Sequence, residues 1–246
     1  MNINHYEKTV LSQFLQKRKE HPEESGRKVP VDTNQLATGG IKVVDAAVMV
    51  FDIANSKDIL NEMGEQMYTE WLGLILHCLF HCVDDYEGTI DKYTGDGAMV
   101  SFSIGTKEQR CINAKECAIT ISQILNEILN PYFRSLNYEE VYLRIGIDFG
   151  AIRIEKIGKK AKSQLIIVGS PANSAKILED YGKNCEFDQY TTICFGYDIL
   201  FNLPEKYYIY NGVNLSKYAG NIKNTQSYMD KSQPYRFYEY TGRIRD

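Results

Sequence analysis

The chain has 246 residues, with 28 Lys and Arg against 32 Asp and Glu, a net charge of -4 and an apolar fraction of 43%. These values support one large domain with a short extension and exclude a nucleic-acid backbone as partner, because no basic excess is available to neutralise phosphates. No apolar run approaches the ~20 residues of a membrane helix, and the first 20 residues lack the apolar centre of a signal peptide, so a cytoplasmic protein with no membrane partner is expected. The six cysteines, at positions 78, 82, 111, 117, 185 and 194, include no CxxC pair and read as free, mostly buried thiols of a reducing compartment.

In chain order, residues 3–20 place Val10, Leu11, Phe14 and Leu15 at helical spacing, and 21–40 follow with Pro, Gly, Ser, Asp and Asn without periodicity. Residues 1–39 are therefore read as an N-terminal helix and lead-in, and 40–246 as the main domain. The β-branched run 43–53 predicts a buried strand. A single helix is predicted over about 57–85, then short strands at 89–93 and 98–102 around the turn Thr94-Gly95-Asp96-Gly97. A second helix spans about 107–129 and stops at Asn130-Pro131. Residues 141–148 alternate and reverse at Gly150 into 151–157, a second hairpin. An apolar strand at 164–168 follows, then a helix opened by Pro171 and running to about Tyr181. The last elements are a strand at 192–195, a helix to Leu203, a strand at 207–210 and a final strand at 236–240. Two hairpins interleaved with helices predict an α/β (α+β) sandwich of ferredoxin-like type, with a mixed, mostly antiparallel sheet and flanking helices.

Two acids carry the chemistry. Asp52 ends a buried strand just before Ala54-Asn55-Ser56 lead into a helix, where a carboxylate needs solvent, a hydrogen bond or a metal, and where backbone N–H groups converge on a phosphate-sized spot. Asp96 tips an Asp-Gly turn. Taken singly, the first is an ordinary helix-capping environment and the second an ordinary hairpin. If the hairpin pairs beside the first strand, both carboxylates emerge at one sheet edge. With a backbone carbonyl such as that of Ile53, they would suit two Mg²⁺ or Mn²⁺ ions and in-line displacement at phosphorus.

Four segments in order resemble the class III adenylate and guanylate cyclases: Val48-Met49-Val50-Phe51-Asp52-Ile53, Lys92-Tyr93-Thr94-Gly95-Asp96-Gly97-Ala98-Met99, Leu143-Arg144-Ile145-Gly146-Ile147-Asp148-Phe149-Gly150, and Val168-Gly169-Ser170-Pro171-Ala172-Asn173-Ser174-Ala175. The resemblance implies metal binding by Asp52, Asp96 and the Ile53 carbonyl. It implies a phosphate-binding turn at Ala54, Asn55, Ser56 and Lys57, and a ribose-positioning Asn173. It also implies a head-to-tail homodimer with composite active sites acting on a nucleoside triphosphate. Lys92 matches the family's base-reading lysine, but the aspartate that partners it is replaced by Ile166, and the family's transition-state arginine by Ile177. Lys176, one position earlier on the helix, is left as the charge available to the phosphates, and Lys231 resembles a late triphosphate lysine. Arg153 and Lys156 are further candidates for the triphosphate.

The altered base code looks like that of the pyrimidine nucleotide cyclases of bacterial antiphage defence (the Pycsar systems). That likeness implies UTP before CTP as substrate and a cyclic-nucleotide effector downstream. The alternatives are an adenylate cyclase relying on Lys92 alone and a non-catalytic nucleotide-binding module. His77, Cys78, His81 and Cys82 share a helical spacing that permits zinc, yet the apolar surroundings favour core packing.

Overall fold

The computed structural model describes residue 12 and residues 41–159, 162–182, 191–204, 207, 209–210, 213–214, 223–226 and 234–240. Of the expected helix at 3–20 only residue 12 is described, and Lys231 and Cys185 lie outside the described residues. Strand β1 (Ile41–Ile53) is the axis of the domain. Its alternation feeds two cores: Ala47, Met49, Phe51 and Ile53 face one, and Ala46, Val48 and Val50 face the other. Over 46–51 the strand is covered on both sides and needs apolar residues at every position, hence the continuous apolar run there.

β1 lies between β3 (Ala98–Phe102) and β4 (Leu143–Lys159), antiparallel to both. The eight-stranded sheet runs β2 (Thr89–Tyr93), β3, β1, β4, β6 (Thr192–Gly196), β10 (Pro234–Tyr240), β9 (Lys223–Gln226), with β5 (Lys162–Val168) paired to β4. The β4–β6 pair is parallel and the other described pairs are antiparallel. β7 (Ile209–Tyr210) and β8 (Val213–Asn214) form a separate two-stranded sheet.

Helices α1 (Ser56–Met63), α2 (Glu65–Asp85), α3 (Lys107–Ile124), α4 (Asn130–Ser135) and α6 (Tyr197–Phe201) contribute to the larger core. Helix α5 (Ser170–Tyr181) covers the opposite face through Ala172 and Ala175. This is the expected α/β sandwich with a mixed, mostly antiparallel sheet. Cys78, Cys82, Cys111, Cys117 and Cys194 are buried thiols not joined in disulfides, and burial pushes the Cys78 and Cys111 thiols up to about 12.

Four expectations need correction. The helix expected over 57–85 breaks at Gly64, whose φ of 76° is left-handed and whose N–H donates to the Leu60 carbonyl at 2.9 Å. Glycine adopts that conformation without the Cβ penalty, so it closes α1 and opens α2. The second hairpin does not turn at Gly150; β4 continues straight through for 17 residues, and the reversal comes after Lys159, which pairs with Lys162. Gly150 is instead a point of close approach, where a Cβ would meet Pro171 Cγ at 3.0 Å.

The helix expected to stop at Asn130-Pro131 carries on to Ser135. A π-helical stretch, Leu125–Leu129, precedes the proline, and such a wide turn relieves the clash of a proline ring with the carbonyl four residues back. Asn130 is buried and clasps Val141, its Oδ1 accepting from the Val141 N–H at 2.8 Å and its Nδ2 donating to the Val141 carbonyl at 3.0 Å. At the C-terminal end, the strand expected at 207–210 covers only Ile209–Tyr210, while β8 and β9 have no counterpart in the sequence pattern.

Candidate functional site

The β1 register places Asp52 opposite Arg144 on β4, both on the face that carries α5. The Asp96 turn reaches the same edge because residue 97 is glycine. A Cβ at Gly97 would lie 2.1 Å from the Phe51 carbonyl oxygen and 3.1 Å from Asp52 Cα, so no other residue lets the turn come so near the end of β1. The turn closes with the Thr94 N–H donating to the Gly97 carbonyl at 3.0 Å. Asp52 and Asp96 consequently lie within hydrogen-bonding reach of each other.

Burial first, then the neighbouring Asp96 charge and hydrogen bond, raise the Asp52 carboxyl from 3.8 to about 6, with Glu179 adding to the rise and Arg144 opposing it. Two carboxylates held together in partial burial repel unless a proton or a cation sits between them. With the Ile53 carbonyl beside Asp52, they form a hard-oxygen donor set for a cation that fills its remaining positions with water or phosphate, as Mg²⁺ and Mn²⁺ do. Among the described residues no cluster of three or more His, Cys, Asp or Glu side chains is arranged to hold a metal. His77 and His81 contact each other edge-on at 4.6 Å in α2, and His77, Cys78 and Cys82 are buried, which is core packing.

The turn after β1 is partly committed. The Ala54 N–H donates to the Tyr142 carbonyl at 2.9 Å, which removes it from any phosphate. Asn55 is left-handed, with φ 56°, and caps α1 through its backbone carbonyl rather than its side chain, which accepts no capping bond. Ser56 is half-buried, and Lys57 is exposed at the start of α1.

Two residues at this edge escaped the sequence reading. Tyr68, on the first turn of α2 after the Gly64 break, hydrogen-bonds with Ser56. Its hydroxyl pKa is raised by burial first and then by the charges of Asp96 and Asp52. Arg144 reaches Asp52 Oδ2 at 3.4 Å and the Ile53 carbonyl at 3.3 Å. Arg144 stands in a segment that carries the family likeness, yet its pairing spans 92 positions. Only a fold makes that visible.

The remaining candidates are spread over α5 and the strands beyond. Asn173 is exposed on the first turn of α5. Lys176 is paired with Glu179 and with Asp180, at 3.4 Å from the latter. Burial lowers the Lys176 pKa, and the two carboxylates raise it by more, for a net rise. Lys92 is exposed and pairs across from Met99; Met99 and Ile167 of β5 each pack against the smaller core. Ile166, on the alternate side of the strand, is 37% exposed. Arg153 is exposed on β4.

The edge that presents the two acids and the carbonyl thus lies on the face covered by α5, which opens with Ser-Pro-Ala-Asn. Residues 42–188, more than half the chain, match the adenylate and guanylate cyclase catalytic domain, and the chain belongs to that family; it is a class III nucleotidyl cyclase. Among its relatives, a uridylate cyclase of Rhodovulum sp. (strain MB263) is 25% identical over 175 residues, covering 68% of this chain and 70% of that protein. A uridylate cyclase of Burkholderia cepacia is 27% identical over 173 residues, covering 69% and 71%. In fold, the adenylyl cyclase CyaB from P. aeruginosa superposes with a TM-score of 0.65 at 21% identity, over 84% of this chain and 98% of CyaB. Among the described residues, no helix is long and apolar enough to cross a membrane.

Proposed function

We propose that residues 40–246 form the catalytic unit of a pyrimidine nucleotide cyclase that converts UTP, and CTP less well, into the 3′,5′-cyclic monophosphate and pyrophosphate. The observation that carries this reading is the meeting of Asp52 and Asp96 beside the Ile53 carbonyl. The ribose 3′ oxygen bonds to the α-phosphorus, the bond from that phosphorus to pyrophosphate breaks, and the hydroxyl proton passes to water. Two cations, Mg²⁺ or Mn²⁺, supply Lewis acidity when bound, lowering the pKa of the hydroxyl and neutralising charge on the phosphates.

Asp52, Asp96 and the Ile53 carbonyl hold that charge in place. The turn of Asn55, Ser56 and Lys57 faces the triphosphate. Asn173 orients the ribose, because ring closure needs near-linear geometry at phosphorus. Asn173 is exposed, which suits a residue that serves the site of a second copy, so the active unit is a head-to-tail homodimer with composite sites. Lys92 without an acidic partner at Ile166, and two relatives named for uridylate cyclisation, support the pyrimidine choice. The product signals to a cyclic-nucleotide-responsive effector in antiphage defence.

Purified protein with Mn²⁺ and each of the four ribonucleoside triphosphates in turn tests the reading, with products resolved by chromatography and mass. Cyclic UMP as the main product is expected; a preference for ATP transfers the assignment to an adenylate cyclase that uses Lys92 alone. Lys176 tied to Glu179 and Ile177 in the arginine position favour a second reading, a nucleotide-binding module without turnover. No cyclic product from any of the four substrates selects it.

A further inference from the structure

The Arg144 guanidinium lies between two sets of oxygens and makes a short hydrogen bond with neither. Its Nη2 is 3.4 Å from Asp52 Oδ2 and 3.3 Å from the Ile53 carbonyl, and its Nε is 3.6 Å from Glu179 Oε1. Charge-assisted N–H···O bonds close to about 2.7–2.9 Å, so all three contacts are stretched. Arg144 Nε and Glu179 Oε1 are buried and lack a hydrogen-bond partner, a costly state for charged groups. Glu179 is fully buried, and its other oxygen already accepts from Lys176. Its remaining oxygen faces Arg144.

The backbone holds this arrangement in place. Helix α5 lies directly on β4 at Gly146, where a Cβ would stand 2.0 Å from the Ala175 carbonyl oxygen and 2.4 Å from the Glu179 nitrogen. Gly182, just past α5, leaves room for the arginine stem, whose Cγ a Cβ would approach to 3.0 Å. Helix and strand cannot separate easily, whereas the guanidinium can shift by less than an ångström.

We propose that Glu179 is a positioning residue that receives the Arg144 guanidinium when a divalent cation takes the Asp52 carboxylate and the Ile53 carbonyl. The inference rests on the cyclase reading above. Before loading, Arg144 neutralises the edge. A divalent cation and a guanidinium repel each other at the same two oxygens, so loading drives Arg144 toward the waiting Oε1 and closes the 3.6 Å gap. Glu179 thereby lowers the cost of displacing the resident charge, and metal affinity depends on a side chain that never touches the metal.

The test is Mn²⁺ binding to the full chain without nucleotide, with free Mn²⁺ followed by its paramagnetic resonance signal and folding followed by circular dichroism. Glu179→Gln is expected to weaken Mn²⁺ binding roughly tenfold, the scale of one charge-assisted hydrogen bond, and Glu179→Asp by less. Arg144→Met is expected to tighten Mn²⁺ binding several-fold, and Glu179→Gln added to it to change nothing further. Overturning results are a Glu179→Gln affinity within about twofold of the parent, or a loss that persists in the Arg144→Met background. If Glu179→Gln fails to fold, Arg144→Met decides alone, since unchanged or weaker Mn²⁺ binding contradicts displacement. Asp52→Asn is the separate control: full Mn²⁺ affinity there removes the cation assignment itself, and the role of Glu179 with it.

Discussion

Replacing Asp52 by Asn should make the metal-free protein more stable while abolishing turnover. The folded Asp52 carboxyl titrates at about 6 against an ordinary 3.8, a difference of about 2 units. At ~1.4 kcal/mol per unit this is at most ~3 kcal/mol of destabilisation above pH 6. Asp52 stays partly exposed, so solvent screening reduces this figure, and a net gain of about 1–2 kcal/mol is expected at pH 7.5. Between pH 4 and 6 the folded chain binds more protons at Asp52 than the unfolded chain does, so wild-type stability falls as pH rises through that window and this contribution is flat above it. Asp52→Asn removes the slope. The assay is urea unfolding across pH 4–8 in EDTA, repeated with Mn²⁺, which should stabilise the wild type and not the variant. A variant less stable than the wild type in EDTA at pH 7.5, or one with the same pH slope, refutes the strained acid pair.

Gly97→Ala should push the Asp96 turn off the end of β1, because its Cβ would fall 2.1 Å from the Phe51 oxygen; a stability loss of ~2–4 kcal/mol by thermal melting and the disappearance of cyclic product are expected. Asn173→Ala, at an exposed position, should leave the melting temperature unchanged and cut turnover by roughly a hundredfold or more, measured as initial rate of product formation. Mixing Asp52→Asn with Asn173→Ala chains should recover about a quarter of wild-type activity, since half the dimers then carry one intact composite site; no recovery argues against shared sites. Burial raises the Asp91 carboxyl to about 7, with a Ser101 hydrogen bond in opposition. Asp91→Asn should therefore stabilise the protein by about 1–2 kcal/mol at pH 8, with no gain at pH 4, in denaturant melts.

The parts of this structure that announce themselves in the sequence are those fixed by local chemistry. The end of an apolar strand puts Asp52 at an edge, and Asp-Gly in a tight turn puts Asp96 at a hairpin tip, so the two strands flanking that turn fall where their pattern predicts. Glycine is the ambiguous letter. Gly150 reads as a reversal but serves close packing on Pro171, while Gly64 looks tolerable within a helix and instead ends one. Proline misleads in a similar way, because a π-helical stretch carries the chain past Pro131. Arg144 and Glu179 are illegible in isolation. Glu179 has the sequence context of a solvated helix residue, and only the seating of α5 on Gly146 buries it completely. The charge of Lys176 is plain in the sequence, while its pairing with the carboxylates one turn away is seen only in the fold.

The interior sulfurs give the domain a built-in record of its own opening. Alkylating reagents attack thiolates, and groups such as Cys78 and Cys111, shut away and holding their protons to about pH 12, offer none while the chain stays closed. They sit on α2 and α3, helices packed against one face of the sheet. Their labelling rate therefore clocks the parting of helix layer from sheet, and a nucleotide or cation that tightens the domain should slow the clock without touching a single sulfur.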